Sequence, residues 1–422
     1  MYIKAKKSQI SGRITIPGSK SHTIRALFIA SLSNGTSIIS NPLVSNDAIS
    51  AVDVCRSFGA DIVMEENKLI VNGFGGNPKV PEDVINVGNS GTTLRLGMGI
   101  ASLCDGYSVF TGDYQIKRRM LAPLITALNN LGAVCLSTRE NGLAPVIIRG
   151  VLKGGETQLD AVTSQFLSSI LISAPLAKKN TEITLTRLNE IPYVEITLWW
   201  LERQGIKFKN DNYKKVTISG NQKYQPFNIS IPGDFSSATF FMVLAAITGG
   251  KITLKNLDMT DPQGDKLVLK ILERMGATIK ITSNRITIIG NKLKGQEIDM
   301  NSIPDALPAM AVAGCFAEGE TRLINVAQAR IKETDRIKVM GEELSKMGAD
   351  IKELPDGLAI KKSKLKGCLV KGHYDHRVVM ALAVAGMNSE GETIIDTAES
   401  INVTFPDFIK VANECGGEIE IC

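Results

Sequence analysis

Long apolar runs are the first thing missing from this sequence. No uninterrupted stretch reaches the roughly 18 residues that a membrane-spanning helix needs. The opening Met1-Tyr2-Ile3-Lys4-Ala5-Lys6-Lys7 has no apolar segment of the kind that directs secretion. Metal-ligand patterns are missing too. There are three histidines (His22, His373, His376), and the seven cysteines (Cys55, Cys104, Cys135, Cys315, Cys368, Cys415, Cys422) are never spaced as Cys-x-x-Cys. Scattered and odd in number, they read as reduced thiols, which places the protein in the cytoplasm. Aromatic residues are 5% of the chain, too few for base-stacking platforms. A net charge of +5 on 422 residues allows a locally basic cleft but does not argue for nucleic acid. The expectation is a soluble enzyme or binding protein with no metal, no other cofactor, and no nucleic-acid or membrane partner.

What is present is repetition. A chain of 422 residues exceeds what one core usually serves, so two domains are expected. A polar turn, a small apolar helix and a glycine-led strand recur six times, beginning near Pro17, Gly88, Thr163, Pro232, Pro304 and Tyr374. The period is roughly 70 residues, longer than solenoid repeats of about 20 to 50. The apolar helices read Ile24–Leu32, Thr93–Leu103, Gln165–Ala177, Ala238–Ile247, Leu307–Phe316 and Val378–Met387. A second, amphipathic helix follows in each copy and runs to a glycine, as in Leu267–Gly276, where Leu267, Ile271, Leu272 and Met275 mark one buried face. Two strands come next. The pattern predicts an α/β protein of two similar domains, each of three βαβαββ units. The break falls at Ile231-Pro232-Gly233 and the other crossing at Ile16-Pro17-Gly18, giving residues 1–17 with 232–422 and an inserted domain over 18–231.

The polar turns before the apolar helices carry the candidate chemistry. A helix N-terminus offers free N–H groups and partial positive charge, a ready anion site. Plain N-capping accounts for most Ser, Thr, Asn and Asp there, but it does not account for Lys20, Arg25 or Arg377, because cations oppose the dipole at that end. Ser21 and Arg25, four apart, share a face with Lys20 beside them, a set suited to one phosphate. The pattern Gly-x-x-x-x-Gly-Lys-[Ser/Thr] of a phosphate loop is absent. Lys332 and Arg336, also four apart, line one face with two cations where a helix begins; a solvated charge run with Glu333–Arg336 pairing is the alternative. Thr111-Gly112-Asp113 followed by Lys117-Arg118-Arg119 is a third cationic knot with the same two readings.

Taken in order, Pro17-Gly18-Ser19-Lys20-Ser21 with Arg25, Gly88-Asn89-Ser90-Gly91-Thr92 with Arg95, Thr163-Ser164-Gln165-Phe166-Leu167, Ile303-Pro304-Asp305, Lys332-Glu333-Thr334-Asp335-Arg336, Asp375-His376-Arg377 and Thr404-Phe405-Pro406-Asp407 resemble the signature runs of the 5-enolpyruvylshikimate-3-phosphate synthases. The resemblance spans essentially the whole chain. It implies an inside-out α/β barrel in each domain, an active site in the cleft between them, and a monomer. It implies that shikimate 3-phosphate is held by Lys20, Ser21, Arg25, Thr163, Ser164, Gln165, Tyr193, Asp305, Gln328 and Lys332. Phosphoenolpyruvate would meet Lys20, Asn89, Gly91, Arg119, Gln165, Glu333, Arg336, His376 and Arg377. Asp305, Glu333 and Lys20 would be catalytic: Asp305 the base at the attacking 5-hydroxyl, Glu333 nearest the vinyl methylene, Lys20 touching both substrates. Two phosphates and two carboxylates in one site would need such a set of cations.

Four positions depart from the family pattern. Glu190-Ile191-Pro192-Tyr193 stands where a serine precedes Lys-Pro-Tyr, Val403 replaces a lysine, Gln328 an asparagine, and Met120 a proline after Arg119. Two rivals remain. An enolpyruvyl transferase acting on a UDP-sugar would need a reactive cysteine near Asp113–Arg119, where none lies; Cys104 and Cys135 sit in apolar contexts that read as buried. A non-catalytic anion-binding module would need no base at Asp305 or Glu333.

Overall fold

The computed structural model describes residues 1–283 and 285–422. The chain forms two compact units, Met1–Pro17 with Pro232–Cys422, and Gly18–Ile231. Among the described residues each unit holds three four-stranded sheets. The copy at Ile85–Asn86, Gly91–Ala101, Tyr107–Thr111, Ala122–Asn130, Val134–Ser137 and Val146–Arg149 shows the βαβαββ unit uninterrupted. Its first strand runs parallel to its second, and the other two add antiparallel. The parallel step is possible because a helix makes the crossover, whereas the last two strands need only a turn.

Three copies are completed from elsewhere in the chain. Asn228–Ser230 supplies the first strand beside Thr36–Ser40, and Ser11–Thr15 supplies the one beside Lys251–Lys255. Ile3–Lys6 sits between Glu392–Ile395 and Glu418–Ile421 as the last strand of the final copy. The two crossings are built alike. The Asn41 amide donates to the Ile231 carbonyl at 2.7 Å, and the Asn256 amide donates to the Ile16 carbonyl at 2.8 Å.

The inside-out barrel takes a particular form here: among the described residues the sheets are small and mixed, and none closes into a barrel. The apolar helices are the inner elements. Phe235–Thr248 is buried over nearly its whole length, as expected for a helix apolar on every side. It packs with Leu307–Phe316 and His376–Gly386. Lys20–Leu32, Gly91–Ala101 and Ser164–Ser173 are the inner helices of the other unit. Most inner helices begin earlier than their apolar pattern predicts, at Lys20, Gly91, Ser164, Phe235 and His376. The first turn is polar and carries no apolar period, so periodicity cannot see it.

The amphipathic helices lie outside, and all six run to a glycine with positive φ: Gly59, Gly132, Gly205, Gly276, Gly348 and Gly416. At Gly276, with φ at 121°, the following Ala277 N–H reaches back to the Leu272 carbonyl at 2.9 Å. That return needs a left-handed residue, which explains why glycine marks each copy.

Candidate active site

In the Gly18–Ile231 unit three inner-helix starts converge. Lys20 Nζ lies 3.1 Å from Asp47 Oδ2. The Thr93 hydroxyl donates to the Asp47 carbonyl at 3.3 Å, which ties the Lys20 helix to the Gly91 helix. Gln165 then links Gly91–Ala101 to Ser164–Ser173: its Oε1 accepts from Arg95 Nη1 at 2.5 Å and its Nε2 donates to Thr92 Oγ1 at 3.0 Å. Gly91 is where the cations crowd. A Cβ there would meet Arg119 Nη1, and Arg95 Nη1 at 2.9 Å, so the absent side chain leaves room for both guanidiniums. Arg119 is buried while Arg118 is exposed beside the Tyr114 ring, which identifies Arg119 as the inward cation of the pair. Asn89 donates to Asp113 Oδ2 at 2.6 Å and to Gln115, holding the loop before the helix.

Arg25 is a buried cation whose partners are hydroxyls and carbonyls. Its Nε donates to Thr197 Oγ1 at 2.8 Å, Nη1 to the Ser21 carbonyl at 3.0 Å, and Nη2 to Ser168 Oγ at 3.3 Å and the Tyr193 carbonyl at 3.0 Å. Desolvation lowers the guanidinium to about 10, and the Tyr193 hydroxyl partly opposes this. A cation held in this way favours an arriving anion.

Thr163 and Ser164 open the third helix, and a carboxylate faces them. Glu190 Oε2 accepts from Ser164 N at 3.2 Å, Ser164 Oγ at 2.8 Å and Thr163 Oγ1 at 3.2 Å. Lys20–Leu32 and Gly91–Ala101 are capped by their own Ser19 and Ser90, but this helix takes its cap from a residue 26 positions away. Glu190 has φ at 61°, a left-handed conformation that costs a non-glycine residue about 1–3 kcal/mol.

The other unit gathers carboxylates around two arginines. Asp305 Oδ1 lies 2.9 Å from Arg336 Nη1, its Oδ2 lies 2.9 Å from Arg377 Nη2, and Lys332 Nζ stands 4.0 Å from Oδ1. Arg336 also reaches Glu333 Oε2 at 2.5 Å and Asp375 Oδ2 at 2.8 Å. It is 1% exposed. Burial alone would lower its pKa, but Asp375, Glu333 and Asp305 outweigh that, so it stays charged at every physiological pH. Asp375 caps His376–Gly386 through Arg377 N at 2.9 Å, which sets His376 and Arg377 in the first turn. Asp265, bonded to Ser236 Oγ, is pushed up to about 6 by burial, then by Asp305, with Arg377 opposing.

Among the described residues no group of three or more His, Cys, Asp or Glu is placed to hold a metal ion. The arrangement offers cations for anionic substrates and two carboxylates, Asp305 and Glu333, on one guanidinium. Residues 4–412 match the family described as EPSP synthase (3-phosphoshikimate 1-carboxyvinyltransferase).

The chain belongs to the EPSP synthase family.

Relatives agree along the full length. The chain is 64% identical over 422 residues to the 3-phosphoshikimate 1-carboxyvinyltransferase of Acetivibrio thermocellus, and 62% identical over 421 residues to that of Ruminiclostridium cellulolyticum, covering 100% of every chain compared. A solved EPSP synthase from Acinetobacter baumannii superposes with a TM-score of 0.84 at 30% identity, covering 100% of both chains.

Two local expectations need correction. Lys332 does not share a helix face with Arg336, because Asp335 caps the helix and Lys332 ends the preceding 3-10 turn Ala327–Ile331. The helix start at Arg336 is not solvated either: the pairing with Glu333 exists, but inside a buried cluster. Gln328 donates to the Asn301 carbonyl at 3.1 Å and is buried beside the cluster. Asp47, Asp265 and Asp375 join these clusters in the fold, although the sequence alone assigns them no role. Asp375 carried a signal, since it precedes His376 and Arg377 at a helix start; Asp47 and Asp265 resemble ordinary turn and first-turn residues. The thiols of Cys104 and Cys135 are raised by burial, Cys135 to about 12, which leaves neither poised as a nucleophile.

Proposed function

We propose that this chain transfers the enolpyruvyl group of phosphoenolpyruvate to the 5-hydroxyl of shikimate 3-phosphate and releases phosphate, in the shikimate route to aromatic amino acids. The hydroxyl oxygen bonds to the substituted vinyl carbon while the methylene takes a proton and the hydroxyl loses one. The tetrahedral adduct then expels phosphate and gives up a methyl proton, which restores the double bond. One carboxylate must accept the hydroxyl proton, and an acid must supply the methylene and later take a proton back.

The observation that carries this reading is Asp305 and Glu333 sharing Arg336. Asp305 is held between Arg336 and Arg377 and is assigned to accept the hydroxyl proton. Glu333 touches the same guanidinium from the other side and is assigned to the methylene. Thr163, Ser164 and Gln165 are assigned to the 3-phosphate, and Gly91 with Arg119, Lys20, Ser21, Arg25 and Tyr193 to the remaining phosphate and carboxylate groups, with Asn89, Gln328, Lys332 and His376 completing the set. Small-molecule substrates are its partners, and the reading assigns it to the cytoplasm as a monomer. Among the described residues no helix is long and apolar enough to cross a membrane.

The test is phosphate release from phosphoenolpyruvate, with shikimate 3-phosphate compared against UDP-N-acetylglucosamine. Release is expected with shikimate 3-phosphate alone. Asp305→Ala should abolish turnover while calorimetry still records shikimate 3-phosphate binding. Release with the UDP-sugar, or full activity in Asp305→Ala, would overturn the assignment.

A further inference from the structure

The pocket assigned to the 3-phosphate already contains an anion from the protein itself. Glu190 Oε2 takes the Ser164 N–H, the Ser164 hydroxyl and the Thr163 hydroxyl together. Each hydroxyl has one proton to give and the amide has one. A phosphate oxygen and the Glu190 carboxylate therefore cannot hold these donors at the same time. Like charges within a few ångströms also repel strongly in a buried site. Glu190 itself is 1% exposed, so the carboxylate is a built part of the pocket and not a surface side chain lying across it. Thr163, the residue in the N-cap position, makes no capping bond of its own, so the helix start depends on Glu190 in the free protein.

We infer that Glu190 is an internal stand-in for the substrate's phosphate: it closes the Thr163–Ser164 pocket in the free protein and must withdraw for the phosphate to enter. It is thus a specificity-determining residue, because affinity for a phosphorylated substrate is the difference between two anions competing for one set of donors. An unphosphorylated analogue that never enters the pocket escapes this competition. The inference rests on the proposed function, in which Thr163 and Ser164 take the 3-phosphate.

The test is calorimetric titration of the full-length protein with shikimate 3-phosphate and, separately, with shikimate. Wild type is compared with Glu190→Ser, Glu190→Gln and Ser164→Ala. Glu190→Gln keeps the shape of the side chain and removes its charge, so it guards against misfolding in the serine variant. Both Glu190 variants are expected to bind shikimate 3-phosphate about 10-fold tighter or more, the effect of removing one charged competitor for these hydrogen bonds. Shikimate affinity should stay unchanged. Equal or weaker shikimate 3-phosphate binding in both variants would overturn the inference, as would an equal gain for shikimate. Ser164→Ala separates the two layers of the argument. Loss of shikimate 3-phosphate affinity there without a gain at Glu190 rejects the stand-in alone, whereas no loss there rejects the assignment of the pocket.

Discussion

Replacing Arg25 by glutamine tests how a buried, carboxylate-free cation is used. In the free protein two effects oppose each other. Lowering the guanidinium from 12.5 to about 10 means that keeping it charged costs about 3 kcal/mol, at 1.36 kcal/mol per unit, and Arg25→Gln removes that cost. The variant also loses bonds to Thr197, Ser21, Ser168 and Tyr193, at about 1 kcal/mol each. The two nearly cancel, so chemical denaturation should show a stability change within about 2 kcal/mol. Binding behaves differently. Of the five N–H groups of a guanidinium, four are engaged with the protein, which leaves one on Nη1 for a ligand. One charge-assisted hydrogen bond is worth about 1.5–3 kcal/mol, so affinity for shikimate 3-phosphate should fall about 10- to 150-fold. Calorimetric titration of folded variant and wild type reads this directly. An unchanged dissociation constant would show that Arg25 only braces its three helices, and the assignment to substrate would fail.

Three further outcomes follow from the same geometry. Gly91→Ala pushes a methyl group into Arg95 and Arg119, so steady-state kinetics should show KM for phosphoenolpyruvate rising roughly 10- to 100-fold, the usual cost of misplacing a binding group by about 1 Å. An unchanged KM would remove Arg119 from the phosphoenolpyruvate site. Asp265 binds its proton more tightly in the folded state, at about 6 against 3.8, so its contribution to stability is full below pH 3.8 and is lost as pH rises through 6. Urea titrations at pH 4 and pH 7 should therefore show the stability difference shifting towards Asp265→Asn by about 2 kcal/mol; no shift would mean that Asp265 is not desolvated. Deleting residues 1–7 removes a strand paired on both sides, with Ile3 and Ala5 fully buried, and circular dichroism melts should show the Pro232–Cys422 region losing its cooperative transition. A transition that survived intact would show that the sheet closes its cooperative unit without this strand.

The repeat was legible because its causes are local. Six amphipathic helices end on glycine because each needs a left-handed residue to return the chain, and that requirement is written at one position. The inner helices betray themselves by being apolar on every side, although their polar first turns, capped by Ser19, Ser90 and Asp375, escape that pattern. Family membership was legible as an ordered set of short runs spread over the whole chain.

Partners across the fold were not legible. Arg25 binds Thr197, 172 residues away, and Arg336 binds Asp375, 39 residues away. No spacing rule connects such pairs, because burial of the guanidinium and the choice of its partners arise only when helices from different copies pack. The same holds for Glu190. In the sequence it is one substituted position before Ile191-Pro192-Tyr193; in the fold its carboxylate completes the start of a helix from another part of the same copy. The sequence by itself determined which elements form and which residues carry charge to the helix starts, since propensity, periodicity and capping act over a few residues. The tertiary structure alone decided which of those charges are paired, desolvated or opposed, because electrostatic energy depends on distance and burial in space rather than on position along the chain.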